Sequence, residues 1–260
     1  MVTRWKVICS LAALAALLVA LCAPASAHSS ASQPYHFGFK KSKGGAPASI
    51  NEEGFKHVLE KYGAVFRGGS DTKTLYLTFD NGYENGFTPH ILDVLKQKRV
   101  PAAFFVTGHY VKDQPELIMR MAAEGHIVGN HSWSHPDMTR IGAQAIHNEM
   151  DKVKAEVAGL TGQPTMAFMR PPRGIFSDSM LAACKEQGYT AVFWSIAYKD
   201  WDVHAQKGKQ YAYDQVVRQL HPGAVILLHA VSSDNAEALA DIIDEAVRQG
   251  YTFKSLDDLL

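Results

Sequence analysis

From Asp71 to the end of the chain, short apolar runs rich in β-branched and aromatic residues alternate with stretches of helical spacing. The runs are Thr74 to Phe79, Ala102 to Val106, His126 to Gly129, Ala167 to Met169, Ala191 to Ile196, Val225 to Leu228 and Tyr251 to Phe253, which makes seven candidate strands. Between them, Ile91, Val94 and Leu95 follow the turn at Thr88-Pro89, and Val216, Val217 and Leu220 precede Pro222-Gly223. Ile242, Ile243 and Val247 lead in the same way into Gly250. Strand and helix in alternation imply a parallel sheet, either open and doubly wound or closed into a barrel. No glycine-rich nucleotide fingerprint follows the first strand, which favours the barrel.

Ahead of this region the chain reads differently. Met1 to Lys6 is basic and runs into an apolar stretch from Val7 to Cys22 that ends in Ala25-Ser26-Ala27. This is the pattern of a secretory signal peptide over residues 1–27, cleaved after Ala27; the competing reading is an uncleaved anchor. Export then predicts a secreted or cell-wall-associated protein with no stable membrane span. Residues 28–70 read as an N-terminal arm, with Lys40 to Pro47 as a loop and Asn51 to Tyr62 as a short helix. Loss of Arg4 and Lys6 with the leader leaves 24 basic against 26 acidic residues, a net charge near −2 that argues against a nucleic-acid partner. Cys9 and Cys22 leave with the leader, so Cys184 has no partner for a disulfide and reads as a small buried hydrophobe. We expect a monomer.

Polar residues recur where the apolar runs end. Asp80 and Asn81 follow the first run, His131 and His135 the third, Arg170 the fourth, Asp200-Trp201 the fifth, and His229 the sixth. In a (β/α) barrel the carboxyl ends of the strands form one rim, so residues far apart in sequence converge there. His131-Ser-Trp-Ser-His135 spaces two imidazoles so that both could reach one metal ion, and Pro136 biases the segment toward a loop or single turn. Two hydrogen-bonded structural histidines are the alternative. An arginine leaving the sheet at Arg170 needs a carboxylate, for which Asp80 is the obvious partner, and Asp200 could tune the titration of His229; a surface arginine beside the Pro-Pro turn and a core histidine are the alternatives.

Taken in order, TFDNG, HSWSHP, RPPRG, DW and LLH resemble the motifs of the polysaccharide deacetylase family, also called carbohydrate esterase family 4 or the NodB homology domain. The resemblance covers about residues 71–260. It implies a distorted (β/α)7 barrel that removes acetyl groups from sugars with the help of a divalent metal, commonly Zn2+. Carried over motif by motif, Asp80 resembles the catalytic base, His229 the acid, Arg170 the partner of the base and Asp200 the partner of the acid. His131, His135 and Asn81 fall at the metal-ligand positions. Trp201 and Leu227 resemble the walls that hold the acetyl methyl, and Pro172 and Arg173 fall in the substrate-contacting turn.

Three positions depart from the family pattern. Asn81 stands where most members have a second aspartate, which predicts weaker metal binding. Arg173 replaces a frequent tyrosine, and Ala197 replaces an acid. The longer string TFDNGYENG, with Tyr35-His-Phe-Gly-Phe-Lys40 upstream, is similar to the deacetylases of spore formers that act on N-acetylmuramic acid in peptidoglycan glycan strands during muramic δ-lactam formation. Arg173 is then the candidate partner for the lactyl carboxylate. The competing readings are a deacetylase of chitin-like oligosaccharides or of peptidoglycan N-acetylglucosamine, a non-catalytic glycan-binding barrel, and a two-carboxylate glycosidase.

Overall fold

The computed structural model describes residues 33–259. The expected signal peptide, with Cys9 and Cys22, lies outside the described residues. At the centre runs β2 (Thr74–Asn81), in which every residue is buried, as a strand flanked on both edges and covered on both faces must be. Parallel neighbours take its two sides: β3 (Ala102–Val106) pairs Ala102 with Leu77, and β8 (Ala224–His229) pairs Ala224 with Leu75. Beyond β3 come β4 (Ile127–Asn130), β5 (Phe168–Met169) and β7 (Thr190–Ala191), while β9 (Thr252–Phe253) pairs with the start of β2.

The sheet curls until its ends meet. Ser195 and Ile196 donate their backbone N–H groups to Val225 O at 2.9 and 3.1 Å, and Leu227 N returns a bond to Ile196 O at 2.9 Å. Lower down, residues from the arm fill the seam: Val65 N donates to Ala191 O, Phe193 N to Val65 O, and Gly68 N to Gly223 O, all within 2.9 Å. The result is the distorted parallel barrel that the family resemblance implies. The inserted stave also explains a difference from the sequence reading. Ala191 to Ile196 reads as one strand, yet its ladder ends at Ala191, because its backbone then divides its bonds among Met169, Val65 and Val225.

Among the described residues eight α-helices surround the sheet: α1 (Lys56–Tyr62), α2 (Thr88–Lys98), α3 (Gly108–Asp113), α4 (Pro115–Ala123), α5 (Ala143–Thr161), α6 (Asp178–Glu186), α7 (Lys209–Val217) and α8 (Ser233–Arg248). The first begins later than the expected Asn51, because Gly54 at φ +72° turns the chain ahead of it. Leu75, Leu77 and Phe79 of β2 pack in the layer between sheet and helices, whereas Tyr76 joins Phe105, Phe168, Val192 and Val225 inside the barrel. Period-two alternation therefore points Thr78 and Asp80 inward as well. A two-stranded antiparallel pair, β1 (Tyr35–His36) with β6 (Ile175–Phe176), ties the arm to the barrel. Cys184 is a buried free thiol, pushed up to about 12 by that burial. Among the described residues no helix is long and apolar enough to cross a membrane.

Candidate active site

Asp80 lies at the upper end of β2, with His229 as its register partner on β8. Beneath it Arg170, which follows β5, is fully buried. A guanidinium without water must have its donors satisfied by the protein. Nη1 donates to Asp80 Oδ1 at 2.7 Å, Nη2 to Thr78 Oγ1 at 2.9 Å and Phe193 O at 3.3 Å, and Nε to Val192 O at 3.0 Å. The Phe105 ring lies 4.2 Å from its Cζ. Burial alone would push the Asp80 carboxyl up. The charge of Arg170, followed by His131 and His229, outweighs this and holds it below the usual carboxylate range. Asp80 is therefore an anion with one oxygen committed to Arg170.

His131 follows β4. Its Nδ1 is 2.8 Å from Arg170 O, and since a carbonyl only accepts, the ring proton sits on Nδ1 and Nε2 keeps a lone pair. That Nε2 is 3.5 Å from Asp80 Oδ2. The His135 ring stands 4.9 Å from the His131 ring, centroid to centroid. Residues 131–135 form a loop, as Pro136 suggests, with Ser132 and His135 at φ +64° and +55°. Non-glycine residues adopt this region only where their surroundings hold them. Ser132 N donates to Asn130 Oδ1, His135 N to Ser132 Oγ, and Ser134 N to Glu149 Oε2. Burial lowers both imidazoles, and the neighbouring His131 helps take His135 to about 4. Both rings are neutral at pH 7, the form in which imidazole binds metals.

His229 is held from behind. Asp200 Oδ1 lies 2.7 Å from its Nδ1, and Asp200 Oδ2 accepts its backbone N–H at 2.8 Å. Asn235, in the first turn of α8, donates Nδ2 to the same Oδ2 at 2.6 Å and to His229 O at 3.2 Å, and its Oδ1 accepts from the Tyr198 hydroxyl. Burial would lower the imidazole, but the charge and hydrogen bond of Asp200 prevail and raise it above the ordinary histidine range.

These groups border one cleft of about 820 Å³. Asp80, His131, His135, Arg173, Trp201, Leu227 and His229 line it. Arg170, Asp200, Pro172 and Asn81 are buried behind that surface. Asn81 has no exposed area; its Nδ2 is 3.4 Å from Thr88 Oγ1 of α2, and its Oδ1 has no hydrogen-bond partner.

Several lining residues are not among the site residues expected from the sequence, although Trp133 lies within the HSWSHP motif. Phe39 comes from the arm, and Trp133 and Trp194 come from loops. A faint signal exists in the glycines against which two of these rings sit: a Cβ on Gly108 would lie 2.3 Å from Trp133, and one on Gly174 would lie 2.6 Å from Trp194. Asn235 is visible in the sequence only as part of a helix start, where Ser232 Oγ accepts its backbone N–H.

A model of the polysaccharide deacetylase family matches residues 67–192. The chain is 51% identical over 255 residues to the peptidoglycan-N-acetylmuramic acid deacetylase PdaA of Bacillus subtilis, covering 98% of this chain and 96% of that one. It is 38% identical over 216 residues to a chitooligosaccharide deacetylase of Bradyrhizobium, covering 78% and 95% respectively. The solved structure of Bacillus subtilis PdaA, a family 4 carbohydrate esterase, matches with a TM-score of 0.85 and 54% identity over 87% of this chain and 97% of the other.

Proposed function

The chain belongs to the polysaccharide deacetylase family, carbohydrate esterase family 4, as a hydrolase of carbon–nitrogen amide bonds, and from this premise we propose that it removes the acetyl group of N-acetylmuramic acid in peptidoglycan. One observation carries the reading. Across a single strand pair, Arg170 favours the ionised form of Asp80 while Asp200 favours the protonated form of His229, which places a base and an acid on one cleft. Two titratable groups driven apart in this way take opposite roles in proton transfer.

In this mechanism the acetyl methyl rests between Trp201 and Leu227. The free Oδ2 of Asp80 takes a proton from a water molecule as that water attacks the acetyl carbon. His229, whose Nδ1 is engaged by Asp200, gives the proton on Nε2 to the amide nitrogen, and the C–N bond breaks to leave acetate and a free amine. Arg170 disfavours protonation of Asp80 before the attack; afterwards Asp80 releases its proton to solvent and His229 takes one up, a reprotonation that the charge of Asp200 favours.

Deacetylases of this family are generally metal-dependent. The donor set suits a divalent cation: two neutral imidazoles and a buried amide oxygen with no other partner. Among the described residues no three His, Cys, Asp or Glu side chains are grouped to hold one, and Asn81 offers an oxygen donor of another type. We assign His131 Nε2, His135 and Asn81 Oδ1 as the ligands and Zn2+ as the ion that two imidazoles favour. When bound, it would polarise the acetyl carbonyl and acidify water.

Arg173 borders the cleft, where its charge acts on Asp137 and His135. Its guanidinium matches the lactyl carboxylate that distinguishes muramic acid from glucosamine. Deacetylation leaves an amine beside that carboxylate, the pair from which a muramic δ-lactam is closed. Export by residues 1–27 would bring the enzyme to the wall.

The test is mass spectrometry of peptide-stripped glycan after incubation with enzyme. Acetyl loss is expected on muramic acid and should vanish in Asp80→Asn. In Arg173→Ala it should fall at least about tenfold, the effect of removing one charge-assisted hydrogen bond to the substrate. Loss confined to glucosamine would overturn the muramic assignment in favour of a glucosamine or chitin-type substrate.

A further inference from the structure

Five large apolar side chains are strongly exposed among the described residues, and three of them, Phe39, Tyr83 and Trp201, border the cleft. Phe39 is the unexpected one. It belongs to the arm, ahead of the segment that matches the family model, and is 43% exposed. Its ring stacks on Trp201 at 5.6 Å between centroids and 28° between planes, and it lies 5.8 Å from Trp194. Trp201 in turn stands 5.4 Å from His229. A continuous aromatic wall thus leads from the arm to the proposed acid.

The wall is built in advance. Phe37, two residues earlier, is buried and stacked on Phe193 at 4.6 Å, and its backbone N–H donates to Gly174 O at 3.0 Å. Gly38, at φ +67°, turns the chain so that Phe37 goes into the core and Phe39 onto the cleft. Gly38 O accepts the Trp194 indole N–H at 2.9 Å, and Lys40 pairs with Glu53. The arm is pinned on both sides of an aromatic ring that stays partly open to solvent beside Trp201. Apolar surface held in the open beside a reaction centre marks a ligand contact.

We propose that Phe39 and Trp201 form a stacking subsite for a sugar ring adjoining the one being deacetylated, beside the proposed acid His229. This rests on the glycan deacetylase reading above. The occupant follows from continuity with that site. The wall joins the acid that serves the leaving nitrogen, and a pyranose offers a flat array of C–H bonds to aromatic faces while its hydroxyls stay at the polar edge. The cleft, at about 820 Å³, lies toward the upper end of the range for small-ligand sites, about 300–1,000 Å³, which leaves room beyond one reacting sugar.

The experiment compares wild type, Phe39→Ala and Phe39→Trp on a peptide-free muramic-acid-containing tetrasaccharide. Binding of the same tetrasaccharide is followed separately by tryptophan fluorescence, and thermal melting checks the fold. In Phe39→Ala, KM and Kd are expected to rise about tenfold while kcat stays within about twofold, and Phe39→Trp should restore both. Unchanged Kd in Phe39→Ala, or a fall in kcat that Phe39→Trp does not rescue, would overturn the subsite. If wild type binds the tetrasaccharide but releases no acetate, the deacetylase reading fails while the binding arm still decides the subsite.

Discussion

Proton traffic in the proposed reaction is governed by two buried neighbours, Arg170 and Asp200, which touch no substrate themselves. The protonated form of His229 is the working acid, so activity is present below its raised pKa and declines as pH rises through it. Asp200→Asn removes the charge that does the raising and leaves burial, which lowers. The alkaline limb of the kcat profile should therefore move to lower pH, as a pH–rate profile would reveal; an unmoved limb would detach Asp200 from that role. Asn81 poses the complementary question. In Asn81→Asp a carboxylate occupies a site with no exposed area. The metal-free variant should melt below wild type, and added Zn2+ should raise its melting temperature more than it raises that of wild type, by linkage of binding to folding. Equal shifts in differential scanning fluorimetry would remove residue 81 from the metal site. Residues such as Asp80 and His229 are legible in the sequence because each is a polar group ending an apolar run. Asn235 is not, because nothing local distinguishes a capping-turn amide from one that supports a catalytic acid.

At the level of the element, strand ends and helix starts bring the chemistry together. β2 delivers Asp80 and β8 delivers His229 because the two strands are parallel and in register, so their carboxyl ends coincide. The first turn of α8 then closes over Asp200 from the other side, with Ser232 capping and Asn235 donating. Asn235→Ala should lower kcat about tenfold with KM little changed, since it deletes a hydrogen bond to the charged group behind the acid. Steady-state kinetics would check it, and a change confined to KM would argue against the positioning role. Helix and strand types follow from period, but boundaries do not. The run from Ala191 to Ile196 has strand composition and gives up its ladder only because a distant segment, Val65 to Gly68, enters the seam beside it.

At the level of the whole molecule the arm and the barrel share one aromatic core. Phe37 packs against Phe55, Phe66, Phe193 and Trp194, so Phe37→Ala should destabilise the fold by about 3–5 kcal/mol, the usual cost of emptying a buried phenylalanine site. Urea denaturation would measure it, and a decrease below about 1 kcal/mol would mean that the arm is a loosely held appendage. From the sequence alone came the strand–helix alternation, the parallel sheet and the set of polar residues at strand ends, because periods of 2 and 3.6 are properties of the local backbone. Tertiary structure decided how the sheet closes, with a stave borrowed from Val65 to Gly68. It also decided that Asn81 sits behind the cleft surface and that Phe39 from the arm stands on it. Those outcomes depend on sheet curvature and on packing between segments far apart in the chain, which no local period encodes.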